Sequence, residues 1–256
     1  MKCAISPLFP VPSHNWHALQ SGQLPSLFSF LVFLILLGSP GPSVNADELM
    51  EDSQVWAGIL STGTLKPLGD KWHFWLEGQG RFGNAVTTLS QGFIRPGVGY
   101  ALSEHVSIWF GYAHIFTDTP FARTSFDEER VWQQLIWSQP LGAGSFTSRG
   151  RLEQRFLDTL SDTGWRYRQF FKIAYPIRSL PGVSAVAFDE VFVNLNDVSG
   201  GAQAGFDQNR AFAGLGYAFT KRVKTEVGYL HQFIDRPVNP NRVTNALAIN
   251  LFLNFP

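Results

Sequence analysis

Residues 243–255, Val243-Thr244-Asn245-Ala246-Leu247-Ala248-Ile249-Asn250-Leu251-Phe252-Leu253-Asn254-Phe255, alternate two kinds of side chain. Val243, Leu247, Ile249, Leu251, Leu253 and Phe255 fall on one face; Thr244, Ala246, Ala248, Asn250, Phe252 and Asn254 fall on the other. A period of two is that of a β-strand, whose successive side chains point to opposite sides of the sheet. One face is greasy and the other small or polar, so this strand borders an apolar phase on one side.

The same period runs back through the chain. Comparable segments lie near 71–82, 88–102, 105–117, 127–139, 145–157, 165–176, 183–195, 206–219, 222–234 and 242–255, with a weaker one near 53–62. Their lengths exceed the ~5–6 residues of an ordinary globular strand and match strands that cross a bilayer at a tilt. Short breaks at Leu102-Ser103-Glu104, Pro140-Leu141-Gly142-Ala143-Gly144 and Thr220-Lys221-Arg222 contrast with longer ones at 118–126, 196–205 and 235–241. Outer-membrane barrels have short periplasmic turns and longer outside loops, so strand 242–255 is expected to run inward and leave the C-terminus in the periplasm. The ten strong segments satisfy an even strand number. The segment at 53–62 reads as one of a split pair or as a non-spanning lead, giving ten to twelve strands. The expected fold is all-β: a single antiparallel up-and-down transmembrane β-barrel over residues 47–256, with no internal repeat and no linker to a second domain.

The polar face of the pattern carries charge. Arg149, Arg151, Glu153 and Arg155 share one face, while Leu152 and Phe156 share the other. Arg166, Arg168 and Lys172 repeat this opposite Trp165, Tyr167, Phe171, Ile173 and Tyr175. Glu128, Arg130 and Gln134 share a face, as do Glu190 and Asn194, Gln208 and Arg210, and Glu77, Gln79 and Arg81. A lipid-facing Arg or Lys at the midplane costs ~2–4 kcal/mol, so this face is assigned to the lumen. By the same register Arg95, Lys224, Glu226 and Arg242 also point inward. Inward bases outnumber inward acids, which predicts an electropositive interior. Cross-strand ion pairs that fill a narrow barrel are one use for such a face. An anion-preferring path, or a site for a small anionic ligand, is the other. So few strands enclose little more than their own long side chains, and a largely closed polar lumen is expected.

The first 46 residues differ from the rest. They hold a single charge, Lys2, and an apolar run at 27–37 that is short of the ~20 residues needed to span a bilayer. Helix breakers and then Val44-Asn45-Ala46 follow, a small-residue pattern that predicts a signal peptide over 1–46 cut after Ala46. That removal takes Lys2 and Cys3, and with them the chain's one cysteine. Disulfides, thiol catalysis and cysteine metal sites are thereby excluded from the mature chain.

A formal charge of +0 argues against a nucleic-acid partner. His105 and Ser107, two apart on a strand, have the His-x-Ser spacing of barrel lipid hydrolases, but they follow a tight turn and so lie at the periplasmic end. Of the four mature histidines, His105, His114 and His231 have no metal-ligand spacing, and His73 is a candidate lumen partner of Glu77. Gly92 to Gly99 and Gly214 to Gly216 precede no helical pattern, so they form no phosphate loop and read as strand positions where a narrow barrel bends or a bulky neighbour packs. No catalytic constellation and no cofactor are expected. Trp72, Tyr100, Tyr112, Trp137, Trp165, Tyr175, Tyr217 and Phe255 fall near strand ends, as interfacial girdles do. A soluble periplasmic β-sandwich or lipocalin-like binding protein is the structural rival, and it would reverse inside and outside.

The order of several motifs resembles the bacterial family catalogued as domain of unknown function 2490. They are Arg95-Pro96-Gly97-Val98-Gly99-Tyr100, Gly111-Tyr112, 128–134 (EERVWQQ), 149–155 (RGRLEQR), Arg166-Tyr167-Arg168, Asp189-Glu190-Val191-Phe192-Val193-Asn194, Asn209-Arg210 with Gly214-Leu215-Gly216-Tyr217, and Gly228-Tyr229. The resemblance spans the mature chain and implies an outer-membrane-type barrel among outer-membrane lipid, with no established activity to carry over. The aromatic Phe255, followed by Pro256, is similar to the terminal signal read by the barrel-insertion machinery.

Overall fold

The computed structural model describes residues 50–122, 124–236 and 240–256. The expected signal peptide and its cleavage after Ala46 lie outside the described residues. Eleven strands follow one another: β1 (Met50–Thr64), β2 (Trp72–Gly83), β3 (Thr88–Ala101), β4 (Val106–Thr117), β5 (Phe126–Leu141), β6 (Gly144–Leu157), β7 (Gly164–Pro176), β8 (Val183–Asn194), β9 (Gly205–Ala218), β10 (Val223–Ile234) and β11 (Arg242–Phe255). Each pairs antiparallel with its chain neighbours, and β1 closes the barrel against β11.

That closing pair is parallel, from Met50 beside Arg242 to Gly63 beside Phe255. An odd strand number makes this unavoidable, because consecutive antiparallel strands bring the first and last into the same direction. The segment read as a split pair or non-spanning lead is therefore a full strand. Its alternation is muted because Ser53, Ala57 and Ser61 dilute the outer face, while Trp56 and Leu60 lie on the inner one.

Side-chain direction follows the pleat. Trp56, Trp75, Trp109 and Trp132 are buried inside, whereas Trp72, Trp137 and Trp165 are exposed outside. Glycines make room for the inner rings. A Cβ on Gly97 would stand 2.6 Å from the Trp132 ring, and one on Gly99 would meet Trp109. Trp75, Trp109 and Trp132 pack with Ala113, Ile115 and Ile136 as one apolar wall, and Trp56, Val186, Phe212, Leu230, Ala246 and Ala248 form a second. The interior is thus apolar at two places, one built on β2, β4 and β5 and the other on β1 and β8 to β11.

On one rim β2 passes to β3, β4 to β5, β6 to β7, β8 to β9 and β10 to β11, with the connection 195–204 among them, and β1 begins at that rim; the opposite rim carries 65–71, 102–105, 142–143, 177–182 and 219–222. Phe121 of the 118–125 loop lies over the mouth, with the Arg242 guanidinium 4.5 Å from its ring. Loops 158–163 and 195–204 dock on each other, where Ser199 N–H donates to Asp162 at 3.1 Å and Asn196 Nδ2 donates to the Thr163 carbonyl at 3.1 Å.

Candidate functional site

The register that sends Leu152, Phe156, Trp165 and Tyr167 outward turns the intervening charges of β6 and β7 inward. Glu153 lies opposite Arg166, and Arg151 lies between Gln134 on one neighbouring strand and Arg168 on the other. Glu153 is fully buried and accepts from Arg166 Nη2 at 2.7 Å and from Arg168 Nη1 at 2.7 Å. The chain of pairs continues across the lumen, where Glu190 accepts from Arg168 Nη2 at 2.7 Å and Arg149 Nη2 at 2.8 Å, with Arg210 at 3.9 Å. Arg130 and Arg155 face each other directly on β5 and β6. Their repulsion is relieved by Glu128, which accepts from Arg130 Nε at 2.7 Å and also from Arg155 Nε.

Glu77 accepts from Arg95 Nη1 at 2.9 Å and Trp75 Nε1 at 3.1 Å. It makes no pair with His73, because four residues along a strand place the two side chains roughly 13 Å apart. His73 instead lies 6.3 Å from the Trp109 ring, centroid to centroid. Asn194 is buried on β8 opposite Arg166, and Gln208 donates to Asp207 at 3.3 Å. At the other end of the sequence reading, Ser107 accepts from Trp109 Nε1 at 2.9 Å inside the barrel, while His105 is exposed in the β3–β4 turn. No hydrogen bond joins those two among the described residues.

Two lumen acids escape sequence reasoning. Asp207 accepts from Arg166 Nη1 at 3.0 Å, and it reaches inward beside Gln208 because the β8–β9 register shifts between Phe192 and Val193. A period of two has no place for a bulge residue. Asp52 accepts from Arg242 Nη2 at 3.3 Å, and it was hidden in the weakly patterned first strand.

Several bases keep unused donors. Arg81 gives Nε to Gln79 at 2.8 Å and Nη1 to Gln91 at 2.6 Å, and its guanidinium lies 3.9 Å from the Trp56 ring centroid. It has no carboxylate partner among the described residues. Arg151 gives both Nε and Nη2 to the Gln134 amide oxygen, at 2.8 and 2.6 Å, leaving Nη1 without a hydrogen bond. Arg95 Nε and Arg149 Nε are likewise buried without an acceptor. Arg81, Arg95 and Arg149, but not Arg151, lie on a luminal cavity of about 410 Å³, lined also by Glu77, Arg210 and Glu190 among others, with Phe93, Phe170 and Phe188 as apolar wall. A smaller space of about 70 Å³ lies toward the short-turn rim beside Lys172, Lys221, Arg222 and Lys224. Among the described residues no group of three or more His, Cys, Asp or Glu is placed to hold a metal ion.

The outside is mostly apolar, with polar groups that satisfy one another. Gln133 and Gln154 exchange amide hydrogen bonds of 3.0 Å, Asn209 donates to Asp189 at 3.0 Å, and Glu129 accepts from Tyr112 and contacts His114 at 2.8 Å. Large apolar side chains fill the rest of the surface, Phe110, Leu215, Tyr229 and Ile94 each being more than half exposed.

Residues 53–244 match the family described as protein of unknown function (DUF2490). An uncharacterised protein of Methylorubrum extorquens is 33% identical over 210 residues, which is 81% of this chain and 90% of that relative.

Proposed function

We propose, for a chain that belongs to the DUF2490 family, that it is an integral outer-membrane barrel whose lumen is a closed, ion-paired interior serving a structural or ligand-binding role. The observation that carries this reading is the inversion of polarity. Buried charges fill the inside, and Phe110, Ile94, Leu135, Leu215 and Leu247 stand exposed around the outside. A soluble monomer rarely exposes contiguous apolar surface beyond a few hundred Å². Lipid removes that cost. The outer polar side chains support the same reading, since in hydrocarbon an unpaired amide or carboxylate costs several kcal/mol and Gln133, Gln154, Asp189 and Asn209 are paired. The long loops then face outward and β11 ends at Phe255 on the periplasmic side, exposed for the barrel-insertion machinery.

A narrow anion-preferring passage is the second reading. It is favoured by the two spaces in the lumen, which share Thr147, Lys172, Glu226 and Phe252 and approach the basic rim at Lys221 and Arg222. Carbonate or urea washing tests the membrane assignment: the protein should stay in the pellet and migrate differently on a gel before and after boiling. Recovery in the soluble periplasmic fraction overturns it. Planar-bilayer recording separates the lumen readings, with silence expected for a closed interior and small anion-selective steps for a passage. Large, weakly selective openings exclude both.

A further inference from the structure

A charged interior that only filled space would match its bases to its acids. This one leaves an excess of bases around the cavity. Arg81 has no carboxylate partner among the described residues and is held by two amide oxygens and an indole face. Arg95 and Arg149 line the same cavity, and each buries an Nε with no acceptor; the Arg95 side chain is only 5% exposed. The nearby carboxylate, Glu77, is already engaged by Arg95 Nη1 and Trp75 Nε1. A buried guanidinium without a carboxylate is costly, and Arg81 lies on the wall of this cavity, so an anionic acceptor in that space would supply the missing counter-charge.

The walls say more about the occupant. Arg95 stacks 4.4 Å from the Phe93 ring and Arg149 4.3 Å from Phe170, which is itself 5.2 Å from Phe188. These rings hold the guanidiniums by their faces and also present apolar surface to the cavity. At about 410 Å³ the space lies within the range of small-molecule sites, about 300–1,000 Å³. Water satisfies guanidinium donors but gains nothing from aromatic walls.

We propose that this cavity is a binding site for a small organic oxyanion, a carboxylate or phosphate ester on a flat apolar body, with the anionic group held by Arg81, Arg95 and Arg149 and the body against Phe93, Phe170 and Phe188. The inference deepens the reading of the lumen as a closed interior and does not depend on which membrane surrounds it.

The test uses full-length protein refolded in detergent, with folding verified by heat-modifiable gel migration. Titration calorimetry with benzoate and with phenyl phosphate should show one saturable site for at least one of them, and inorganic phosphate and neutral benzyl alcohol should bind at least about tenfold more weakly. Arg81→Gln is the decisive variant, because removing this charge strands no carboxylate. It should fold normally and lose about tenfold or more in affinity, the size of one charge-assisted hydrogen bond. Lys66→Gln, in the β1–β2 connection, should bind as the unaltered protein does. No saturable binding by either aromatic anion, equal binding of inorganic phosphate or of the alcohol, or unchanged affinity in Arg81→Gln overturns the proposal. A large open conductance in bilayers would instead overturn the closed-lumen reading beneath it.

Discussion

Arg166 Nη2 stands 2.7 Å from Glu153 Oε2, on adjacent strands and with both side chains buried in the lumen. The same carboxylate accepts from Arg168 through its other oxygen at 2.7 Å. One carboxylate thus bridges two neighbouring guanidiniums, and a third, Arg130, approaches it at 3.7 Å.

Removing that acid should be costly in proportion. Glu153→Ala leaves Arg166 with Asp207 and Arg168 with Glu190 but removes the carboxylate that the two share, and the barrel is expected to lose about 3–5 kcal/mol of stability, since all these partners are desolvated. Urea titration of refolded protein, followed by tryptophan fluorescence, measures it. Glu153→Gln keeps an acceptor and should cost less than the alanine variant. Equal stability of all three proteins would mean that Asp207, Glu190 or water compensates these arginines without Glu153.

The glycines beneath the indoles give a prediction of the opposite kind, through overpacking. On Gly97 a methyl group would lie 2.6 Å from the Trp132 ring, and on Gly111 it would meet the same ring and the Pro96 carbonyl oxygen. Gly111→Ala is therefore expected to destabilise by about 1–3 kcal/mol, because backbone and a locked ring must shift together. Gly69→Ala, where a methyl group would meet nothing, pays only for the left-handed backbone at φ 105°. Comparing their urea midpoints separates steric from backbone cost.

Most of this fold was legible because a barrel wall enforces one pattern along its whole length. The segment near 145–157 reads Arg149, Arg151, Glu153, Arg155 inward and Leu152, Phe156 outward, and the structure has β6 at Gly144–Leu157 with that division. What escaped the pattern did so where the period fails or is diluted: Asp207 at the β8–β9 bulge, Asp52 on a strand of small residues, and the parallel closure that only a count of eleven requires. The inner tryptophans escaped for another reason. Alternation places Trp75, Trp109 and Trp132 on the polar-side parity, and nothing in a single strand tells that three such rings meet across Gly97 and Gly111. Pairing partners were equally hidden: adjacency of Arg130 to Arg155 depends on the hairpin register, which sets whether Glu128 can serve both.

Labelling tests the two faces directly. The sequence after Ala46 contains no cysteine, so single cysteines report without background. Tyr167→Cys and Leu152→Cys, on the outer face, should resist water-soluble maleimides and react with membrane-partitioning ones when the protein is in lipid vesicles. Cysteines at loop positions such as Ser161 should show the reverse. Rapid aqueous labelling at Tyr167 in vesicles would place that surface in water.

The docked loops 158–163 and 195–204 predict a pH dependence. Asp162 of the 158–163 connection accepts from the Ser199 backbone N–H at 3.1 Å, and that hydrogen bond holds its carboxyl below the usual carboxylate range. Leu160 packs beside Gly200 and Gly201 in the same contact. A carboxyl whose value is depressed on docking stabilises the docked state fully above its ordinary value of about 3.9, and the contribution is lost as pH falls through the lower docked value. Loops 158–163 and 195–204 should therefore stay together from about pH 7 to about pH 5 and loosen below about pH 4. Hydrogen exchange at the Ser199 amide, corrected for intrinsic rate, reads the change locally while the buried strands remain protected. Asp162→Asn removes the titrating group but leaves an acceptor, so its protection should be flat across that range. Asp162→Ala removes the acceptor as well and should exchange fast at neutral pH. Unaltered protection of Ser199 in the alanine variant would show that Leu160 and the Asn196–Thr163 hydrogen bond hold the two loops together without Asp162.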